Sequence, residues 1–331
     1  MKILLLLNGS GGRTSQAELA RFQARLNRIA PGSNAHITSS AEEARRMAIS
    51  APENGFDQIW IGGGDGTIHG VLGALVQCGL PLGVVPRGTV NALARSFGIP
   101  LRWDEAFDWL SKAQPAPMNL GQVNGQRHFL CFAGVGFDAA VVHAVTGRFK
   151  KVGGRFAYAI AGTRTMVKKP QPKFEIEFDD GTQRLNKQTV SQKTGEKTKS
   201  TSLDVGRIRD TGHSIMISQV PLYAGFNLFP GTSPCGQPME VWLFRRSNPS
   251  DILRQATATV FRNRRGQPPA NNAPDAESPK LSQNFGHYCT SGFVLESEFP
   301  LVLHLDGDPV RIEPPNHLVF TTVKAAIHAL R

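Results

Sequence analysis

A glycine-rich segment that directly follows an apolar run constrains this chain more than any other feature of its sequence. The segment Trp60-Ile61-Gly62-Gly63-Gly64-Asp65-Gly66-Thr67-Ile68-His69 predicts a buried strand that ends in a tight turn and continues as a helix. Glycines let backbone N–H groups approach an anion, and a helix start adds free N–H donors and the positive end of its dipole. The segment therefore predicts a phosphate-binding loop. In it, Asp65 would hold Mg²⁺ or a ribose hydroxyl, and Thr67 would cap the helix or donate to phosphate; a plain strand–helix turn is the alternative.

A second loop repeats this logic in Leu82-Gly83-Val84-Val85-Pro86-Arg87-Gly88-Thr89-Val90-Asn91. Another buried strand ends in Pro-x-Gly-Thr and a helix pattern follows, for which Thr89 is the expected N-cap. Open α/β sheets bind ligands in the crevice at the carboxyl ends of their parallel strands. We therefore expect the two loops to face one crevice.

The pattern of short apolar runs predicts two domains in the 331 residues. Residues 1–118 alternate between buried strands and amphipathic helices, which predicts a parallel α/β sheet covered on both faces. Residues 119–309 contain many strand-like runs separated by Gly, Pro and Asp, which predicts a mostly antiparallel β domain. The polar segments near 181–206 and 262–285 are typical of mobile surface insertions.

The charge of the chain is strongly positive, with a formal net charge of +11 that favours anionic partners. No acidic residue occurs from Ala139 to Phe174, a stretch that holds eight Lys and Arg residues interleaved with apolar ones. One interpretation is a solvated helix face. The other is a basic amphipathic surface that lies reversibly against anionic lipid headgroups. No nucleic-acid-binding module is recognisable, so we expect no nucleic-acid partner.

The N-terminal apolar run, Ile3–Leu7, is too short for a signal peptide and is better explained as a buried first strand. No apolar run approaches the length of a transmembrane helix. The four cysteines are widely separated, which is typical of ordinary thiols in a reducing compartment. We therefore expect a cytoplasmic protein without a transmembrane segment.

Several common enzyme signatures are missing from the sequence. There is no G-x-x-x-x-G-K-[ST], H-E-x-x-H or G-x-S-x-G motif. The run Gly134-Val135-Gly136-Phe137-Asp138-Ala139 resembles a dinucleotide fingerprint, but the acid expected about 20 residues later is absent. Near the C-terminus, Asp306-Gly307-Asp308 lies between two strand-like runs and by itself predicts only a hairpin turn.

Together these motifs resemble the catalytic domain of the diacylglycerol kinase family, which includes soluble lipid kinases such as sphingosine and ceramide kinases. The resemblance rests on Gly63–Thr67, Pro86-x-Gly88-Thr89-x-Asn91, Gly134–Ala139 and Asp306-Gly307-Asp308. Thr38 with Ala44 matches a further family spacing, and Asn8 to Arg13 resembles a degraded form of the family's first motif.

The resemblance implies an α/β nucleotide-binding domain, a following β-sandwich domain for the lipid, and an active site between them. Residues 310–331 are expected to pack back onto the first domain. The implied reaction is phosphorylation of a lipid hydroxyl by ATP with Mg²⁺. The implied nucleotide-binding residues are Asn8, Thr38, Gly63, Gly64, Asp65, Gly66, Thr67, Gly88, Thr89 and Asn91. Asp308 stands where the family has its general base, and Asp138 is expected near the acceptor lipid.

Three departures from the family pattern leave alternatives open. Ala92 replaces an aspartate after Asn91, and Asp308 replaces a glutamate. The Asp-Gly-x-Leu motif for a structural Mg²⁺ appears as Gly236-Gln237-Pro238-Met239, so that metal site is doubtful. The alternatives are a kinase of a soluble substrate, similar to NAD kinases, and a catalytically weak nucleotide- or membrane-binding homologue.

Overall fold

The computed structural model of the chain describes residues 1–9, 14–144, 171–185, 207–223, 225–236, 238–246, 249–264 and 284–331. The helices are α1 (Gln16–Ile29), α2 (Ala41–Ser50), α3 (Asp65–Cys78), α4 (Ala92–Ser96), α5 (Trp103–Leu110), α6 (Phe137–Ala144) and α7 (Pro249–Arg264). The first strands are β1 (Ile3–Asn8), β2 (Asn34–Thr38), β3 (Gln58–Gly63), β4 (Leu82–Pro86), β5 (Pro115–Val123), β6 (Arg127–Phe129) and β7 (Phe132–Gly136).

The remaining strands are β8 (Phe174–Phe178), β9 (Gln183–Arg184), β10 (Arg209–Gly212), β11 (Ser214–Ser218), β12 (Leu222–Tyr223), β13 (Phe226–Asn227) and β14 (Met239–Phe244). They continue with β15 (Phe285–Thr290), β16 (Gly292–Glu296), β17 (Leu303–Leu305), β18 (Asp308–Val310) and β19 (His317–Leu330).

The first half of the chain forms a parallel sheet in the order β2-β1-β3-β4. The expected first strand is confirmed, since Ile3–Leu7 are all buried in β1. All five residues of β4 are buried as well, as expected for a sheet covered on both faces. The carboxyl ends of β3 and β4 lie side by side, because Gly63 pairs with Pro86.

The first two helices of this half begin at serine N-caps. In α1, Ser15 accepts a hydrogen bond from the Glu18 N–H as an N-cap, and Phe22 and Leu26 turn to the core. In α2, Ser40 caps the Glu43 N–H in the same way. The N-terminal half is therefore built from amphipathic helices packed on an apolar sheet.

Strand β19 joins the two halves of the molecule. It pairs in parallel with β4 at Ala329–Leu82, and antiparallel with β5 and β16. The sheet thereby continues from the parallel strands into an antiparallel part in the order β4-β19-β16-β8-β10. A register shift between Val323 and Ile327 bends β19, and Ala325 there has a φ of +50°.

A second sheet packs on the antiparallel part of the first. Its order is β18-β17-β7-β11-β14-β15-β9, and each adjacent pair is antiparallel. One buried cluster contains side chains from both sheets: Phe174, Ile176, Phe293, Leu295 and Phe320 from the first, and Val135, Ile215, Val241, Tyr288 and Leu303 from the second. The predicted fold class is confirmed: an α/β half with parallel strands is followed by a mostly antiparallel β-sandwich.

Two regions of functional interest lie largely outside the described residues. These are the basic stretch, of which 145–170 are not described, and the polar segments, of which 186–206 and 265–283 are not described. Among the residues that the structure describes, no helix is long and apolar enough to cross a membrane.

The sandwich core generates a prediction about stability. The ring of Phe320 is fully buried and stacks on Phe293 at 4.9 Å between ring centroids. The Phe320→Ala variant should lower the free energy of unfolding by about 3–5 kcal/mol, because it removes this packing and leaves a cavity. Urea denaturation measures the loss. Phe299 is 61% exposed, so Phe299→Ala should stay within about 0.5 kcal/mol of wild type, and an equal loss in both variants would contradict this core.

Candidate active site

The two glycine loops meet in direct backbone contact. The first connects β3 to α3 and the second connects β4 to α4, so both begin at the same edge of the parallel sheet. A Cβ atom added to Gly88 would lie 2.5 Å from the Cα of Gly64, a distance that real Cβ atoms essentially never show. Glycine is therefore needed at Gly88 because the Gly64 backbone occupies the place of a side chain. The predicted common location of the two loops is what the structure shows.

Asn91 holds the second loop in shape. Its Oδ1 accepts a hydrogen bond from the Gly88 N–H at 2.8 Å, and its Nδ2 donates to the Gly88 carbonyl at 2.9 Å. Asn91 is buried and has a φ of +51°, a conformation that asparagine adopts more readily than most residues. Asn91, not Thr89, is the N-cap residue of α4, because the loop runs two residues further before the helix begins. Thr89 is instead exposed at the loop surface.

The Asp65 carboxylate spans the two loops. Its Oδ2 accepts the Ala92 N–H at 2.9 Å and its Oδ1 accepts the Leu93 N–H at 3.1 Å, so Asp65 caps the start of α4 from the first turn of α3. Burial raises the pKa of Asp65 above its usual value and the charge of Asp306 adds to this, while the two backbone N–H groups act in the opposite direction. Each oxygen keeps a further lone pair for a ligand in addition to its N–H partner.

Three predicted residues lie around the end of β1. Asn8 and Thr38 are paired across β1 and β2, and Asn8 Nδ2 donates to Thr67 Oγ1 at 3.0 Å. Thr67 belongs to the first turn of α3 and is not its N-cap, which is Gly64, because the helix already begins at Asp65. A Cβ on Gly63 would lie 2.5 Å from Thr67 Oγ1, so the threonine packs on that glycine. Thr38 is buried and donates to the Leu7 carbonyl.

Gly66 differs from the other glycines of these loops. It is exposed in the first turn of α3, and a Cβ there would meet no atom within 4 Å. The first N–H groups of an α-helix have no partner within the helix and are available to an anion. This open first turn is the part of the loops that a phosphate group can approach.

Asp306 carries a role that the turn pattern did not reveal. It lies in the β17–β18 turn with a φ of +51°, but its carboxylate is buried and has four donors around it. Oδ1 accepts the N–H groups of Cys131 and Phe132, at 2.7 and 3.0 Å. Oδ2 accepts the Leu130 N–H at 2.7 Å and contacts His69 Nδ1 at 2.7 Å. The turn is thereby attached both to β7 and to helix α3.

Asp308 begins β18, two residues after Asp306, and is partly buried. It pairs with Leu305 across the hairpin. Its negative charge contributes to the raised pKa of His69 in helix α3. The predicted general base thus lies on the hairpin whose Asp306 contacts His69 of helix α3.

Asp138, in the first turn of α6, belongs to a second polar cluster. The cluster includes His304 of the β17–β18 hairpin. Its Oδ2 accepts hydrogen bonds from the Tyr223 hydroxyl and from His304 Nε2, the latter at 2.7 Å. His304 Nδ1 accepts the Gly307 N–H at 3.4 Å, which leaves the proton on Nε2 for Asp138. A Cβ on Gly134 would lie 2.1 Å from Asp138 Oδ2, so Gly134 makes room for this contact. Burial, with the charge of Asp138, raises the pKa of Tyr223 well above its usual value, and the phenol stays protonated.

Comparison with known proteins finds a matching family model for the first part of the chain. Residues 2–123 match the family model described as the diacylglycerol kinase catalytic domain. The predicted resemblance is thereby confirmed for the α/β half, which contains both glycine loops.

Relatives of this family cover about half of the chain. A Bacillus subtilis protein named diacylglycerol kinase is 33% identical over 174 residues, which are 51% of this chain and 57% of that protein. A protein of Escherichia fergusonii named "Probable lipid kinase YegS" is 32% identical over 167 residues, 49% of this chain and 55% of its own length. The chain thus spans little more than half the length of these relatives.

Solved structures extend the similarity of fold to the whole chain. A Bacillus anthracis structure named as a diacylglycerol kinase has a TM-score of 0.63 and 15% identity, and covers 99% of this chain and 96% of its own. A second structure from the same organism has a TM-score of 0.69 and 18% identity, with 99% and 94% coverage. At this identity the likeness concerns the fold alone.

Sequence reasoning missed His69, His304 and Tyr223. His69 had one available signal, since it follows Asp65 by four residues and so lies on the same face of α3. His304 lies two residues before Asp306, but nothing in the local sequence indicates that its hydrogen-bond partner is Asp138. Tyr223 had no signal, because its contact with Asp138 joins residues 85 apart.

The contact of the loops predicts different effects on the free energy of unfolding for two Gly→Ala changes. Gly88→Ala should lower the free energy of unfolding by about 1–3 kcal/mol, because the new methyl group overlaps the Gly64 backbone. Gly66→Ala should leave it unchanged or raise it by up to about 1 kcal/mol, because space is open there and alanine favours the helix. Urea denaturation of both variants tests this. Equal stability of the two would show that the loops do not touch.

Proposed function

We propose that this chain transfers the γ-phosphoryl group of ATP to a hydroxyl of a diacylglycerol-like lipid. The observation that carries the proposal is the backbone contact of Gly64 and Gly88 beside the open first turn of α3. Helix N-termini of this kind bind phosphate groups. The names of relatives, diacylglycerol kinase and lipid kinase, support the reaction class.

In the proposed reaction, the lipid hydroxyl oxygen forms a bond to the γ-phosphorus and the bond from that phosphorus to the β,γ-bridging oxygen breaks. ADP leaves with the electron pair of the broken bond, and the hydroxyl proton passes to the Asp308 carboxylate. A carboxylate that accepts this proton is an ordinary general base for phosphoryl transfer. The position of Asp308 on the β17–β18 hairpin, whose Asp306 contacts His69 of α3, supports this role.

The residues present fit a magnesium ion that arrives with the nucleotide. Within the described parts of the chain, no group of three or more His, Cys, Asp or Glu side chains could hold a metal alone. Mg²⁺ is commonly bound by one or two carboxylates together with substrate phosphates, and it then neutralises charge on the transferred group. Asp65 is the proposed protein ligand, directly or through water. Gly236 provides no carboxylate, and we assign no structural metal there.

Asp138 is proposed to contact the acceptor lipid. Its side chain is 19% exposed, while its partners His304 and Tyr223 are buried. The two donors fix Oδ2, so Asp138 is held in one orientation beside the hairpin that carries Asp308. A carboxylate fixed in this way can accept a hydrogen bond from a substrate hydroxyl and position it.

The decisive experiment is a kinase assay with radiolabelled ATP. The purified chain is incubated with Mg²⁺-ATP and mixed micelles that contain diacylglycerol, monoacylglycerol, ceramide or sphingosine, and NAD⁺ is tested in parallel as a soluble acceptor. Label in a lipid product supports the proposal. Label in NAD⁺ alone would favour the NAD-kinase-like alternative, and ATP binding without any transfer would favour a catalytically silent homologue.

Asp308 generates a prediction that separates chemistry from binding. Asp308→Asn should lower lipid phosphorylation by at least about 10²-fold, because an amide cannot accept the proton, while the Kd for ATP stays within a few fold. Asp308→Glu, which restores the longer side chain of the family, should remain active. Radiometric assay and isothermal titration calorimetry give the two quantities. Full activity of Asp308→Asn, or loss of its ATP binding, would return Asp308 to a structural role.

Reversible attachment to an anionic membrane is also proposed, from the basic stretch of the sequence. Replacing Lys150, Lys151, Lys168 and Lys169 by Gln should weaken sedimentation with phosphatidylglycerol vesicles, since each cation near such a surface contributes about 1 kcal/mol. Binding to neutral vesicles should start weak and remain so. Binding that is equal at low and high salt would contradict an electrostatic attachment.

A further inference from the structure

The contact between His69 and Asp306 connects helix α3 to the hairpin that carries Asp308. His69 Nδ1 and Asp306 Oδ2 are 2.7 Å apart, and 237 residues separate them along the chain. We propose that His69 is a positioning residue, which through Asp306 sets the place of Asp308 relative to the nucleotide loops. This inference rests on the proposed function, because it takes Asp308 as the general base.

The helix side of the contact is tied to the nucleotide loops. His69 follows Asp65 by four residues, so both side chains lie on one face of α3. Asp65 in turn holds the start of α4 through Ala92 and Leu93. One face of α3 therefore binds the second glycine loop at its first turn and the β17–β18 hairpin one turn later.

The hairpin side is short and stiff. Only Gly307 separates Asp306 from Asp308, and Leu305 pairs with Asp308 across the two strands. A displacement of Asp306 therefore moves Asp308 by a similar amount. Misplacement of a reacting group by 1 Å can cost about 10²-fold in rate, so the position of this hairpin matters for the proposed chemistry.

The bond to His69 is separate from the bonds that shape the turn. Three backbone N–H groups, those of Leu130, Cys131 and Phe132, hold the Asp306 carboxylate from within the second sheet and the segment that leads into it. These bonds remain when His69 is replaced. We therefore expect His69 to hold an already formed turn against α3, and not to form the turn itself.

Charged groups around His69 make its contact with Asp306 sensitive to pH. They are Asp306 from the turn, Asp308 from β18 and Arg127 from β6. Burial lowers the pKa of His69, but its hydrogen bond to Asp306 and the charges of Asp306 and Asp308 outweigh burial, and the pKa lies above its usual value. The stabilisation from the charged contact is thus full below pH 6.5 and is lost as the pH rises through the folded-state pKa.

Two substitutions at His69 and one control test the proposal. His69→Ala removes the donor, whereas His69→Asn places its amide Nδ2 where the imidazole has Nδ1 and keeps a neutral hydrogen bond to Asp306. Gln77 is exposed in the last turn of the same helix, so Gln77→Ala is a matched control for effects on α3. Urea denaturation of each variant checks that it is folded under the assay conditions.

We expect His69→Ala to lower the kcat of lipid phosphorylation by at least about tenfold, with the KM for ATP within about threefold of wild type. His69→Asn should keep kcat within about threefold of wild type, and Gln77→Ala should match wild type. Equal kcat in His69→Ala and wild type would overturn the proposal. An equal loss in His69→Ala and His69→Asn would overturn it as well, because the hydrogen bond would then not be the cause.

The contact of His69 can also be tested without catalysis, through the pKa of its imidazole. The pKa of His69 is measured by NMR from its Cε1–H resonance, which the spectrum of His69→Asn assigns. It should lie above 6.5 in the wild type and fall in Asp306→Asn, because the charge that His69 contacts is removed. If no lipid is phosphorylated, the proposed function fails while this titration still reports the contact. A His69 pKa that is unchanged in Asp306→Asn would show that the two residues do not interact in solution, and the inference would fail on its own.

Discussion

The backbone contact between Gly64 and Gly88 is the constraint on which the candidate site depends. It brings two strand-to-helix connections together so closely that a side chain at Gly88 would overlap the Gly64 backbone. Asn91 shapes the second loop from one side, and Asp65 connects the loops through its carboxylate. The first turn of α3 is exposed at Gly66, where a phosphate group can approach the start of the helix.

The β17–β18 hairpin performs the corresponding task in the sandwich half. Two of its residues contact groups outside it: His304 contacts Asp138, and Asp306 contacts His69 and the Leu130–Phe132 backbone. The same hairpin carries Asp308. Buried carboxylates are costly unless donors surround them, and here backbone N–H groups, a tyrosine and two histidines supply these donors. The same hydrogen bonds that make burial of the acids tolerable also hold the two halves of the site in register.

Much of the fold could be predicted because apolar periodicity reports burial directly. The runs Ile3–Leu7 and Leu82–Val85 are fully buried strands, as their apolar sequences predict. The candidate site was predicted less completely. Thr89 was expected to cap α4, but the loop continues to Asn91. The backbone of Asn91 is left-handed, and the sequence around it does not indicate this conformation. The residues around the acids were missed because their partners lie far away in the chain.

The sequence by itself determined the local chemistry of this protein: where strands end in glycine, where helices begin, and which acids lie in turns. Those features depend on residues within a few positions of each other, so the chain specifies them locally. Only the tertiary structure decided what each acid does. Whether Asp306 is an ordinary turn residue or the partner of His69 depends on how a hairpin near the C-terminus packs against a helix 237 residues earlier. That packing results from the burial of two sheets against each other, which no local pattern contains.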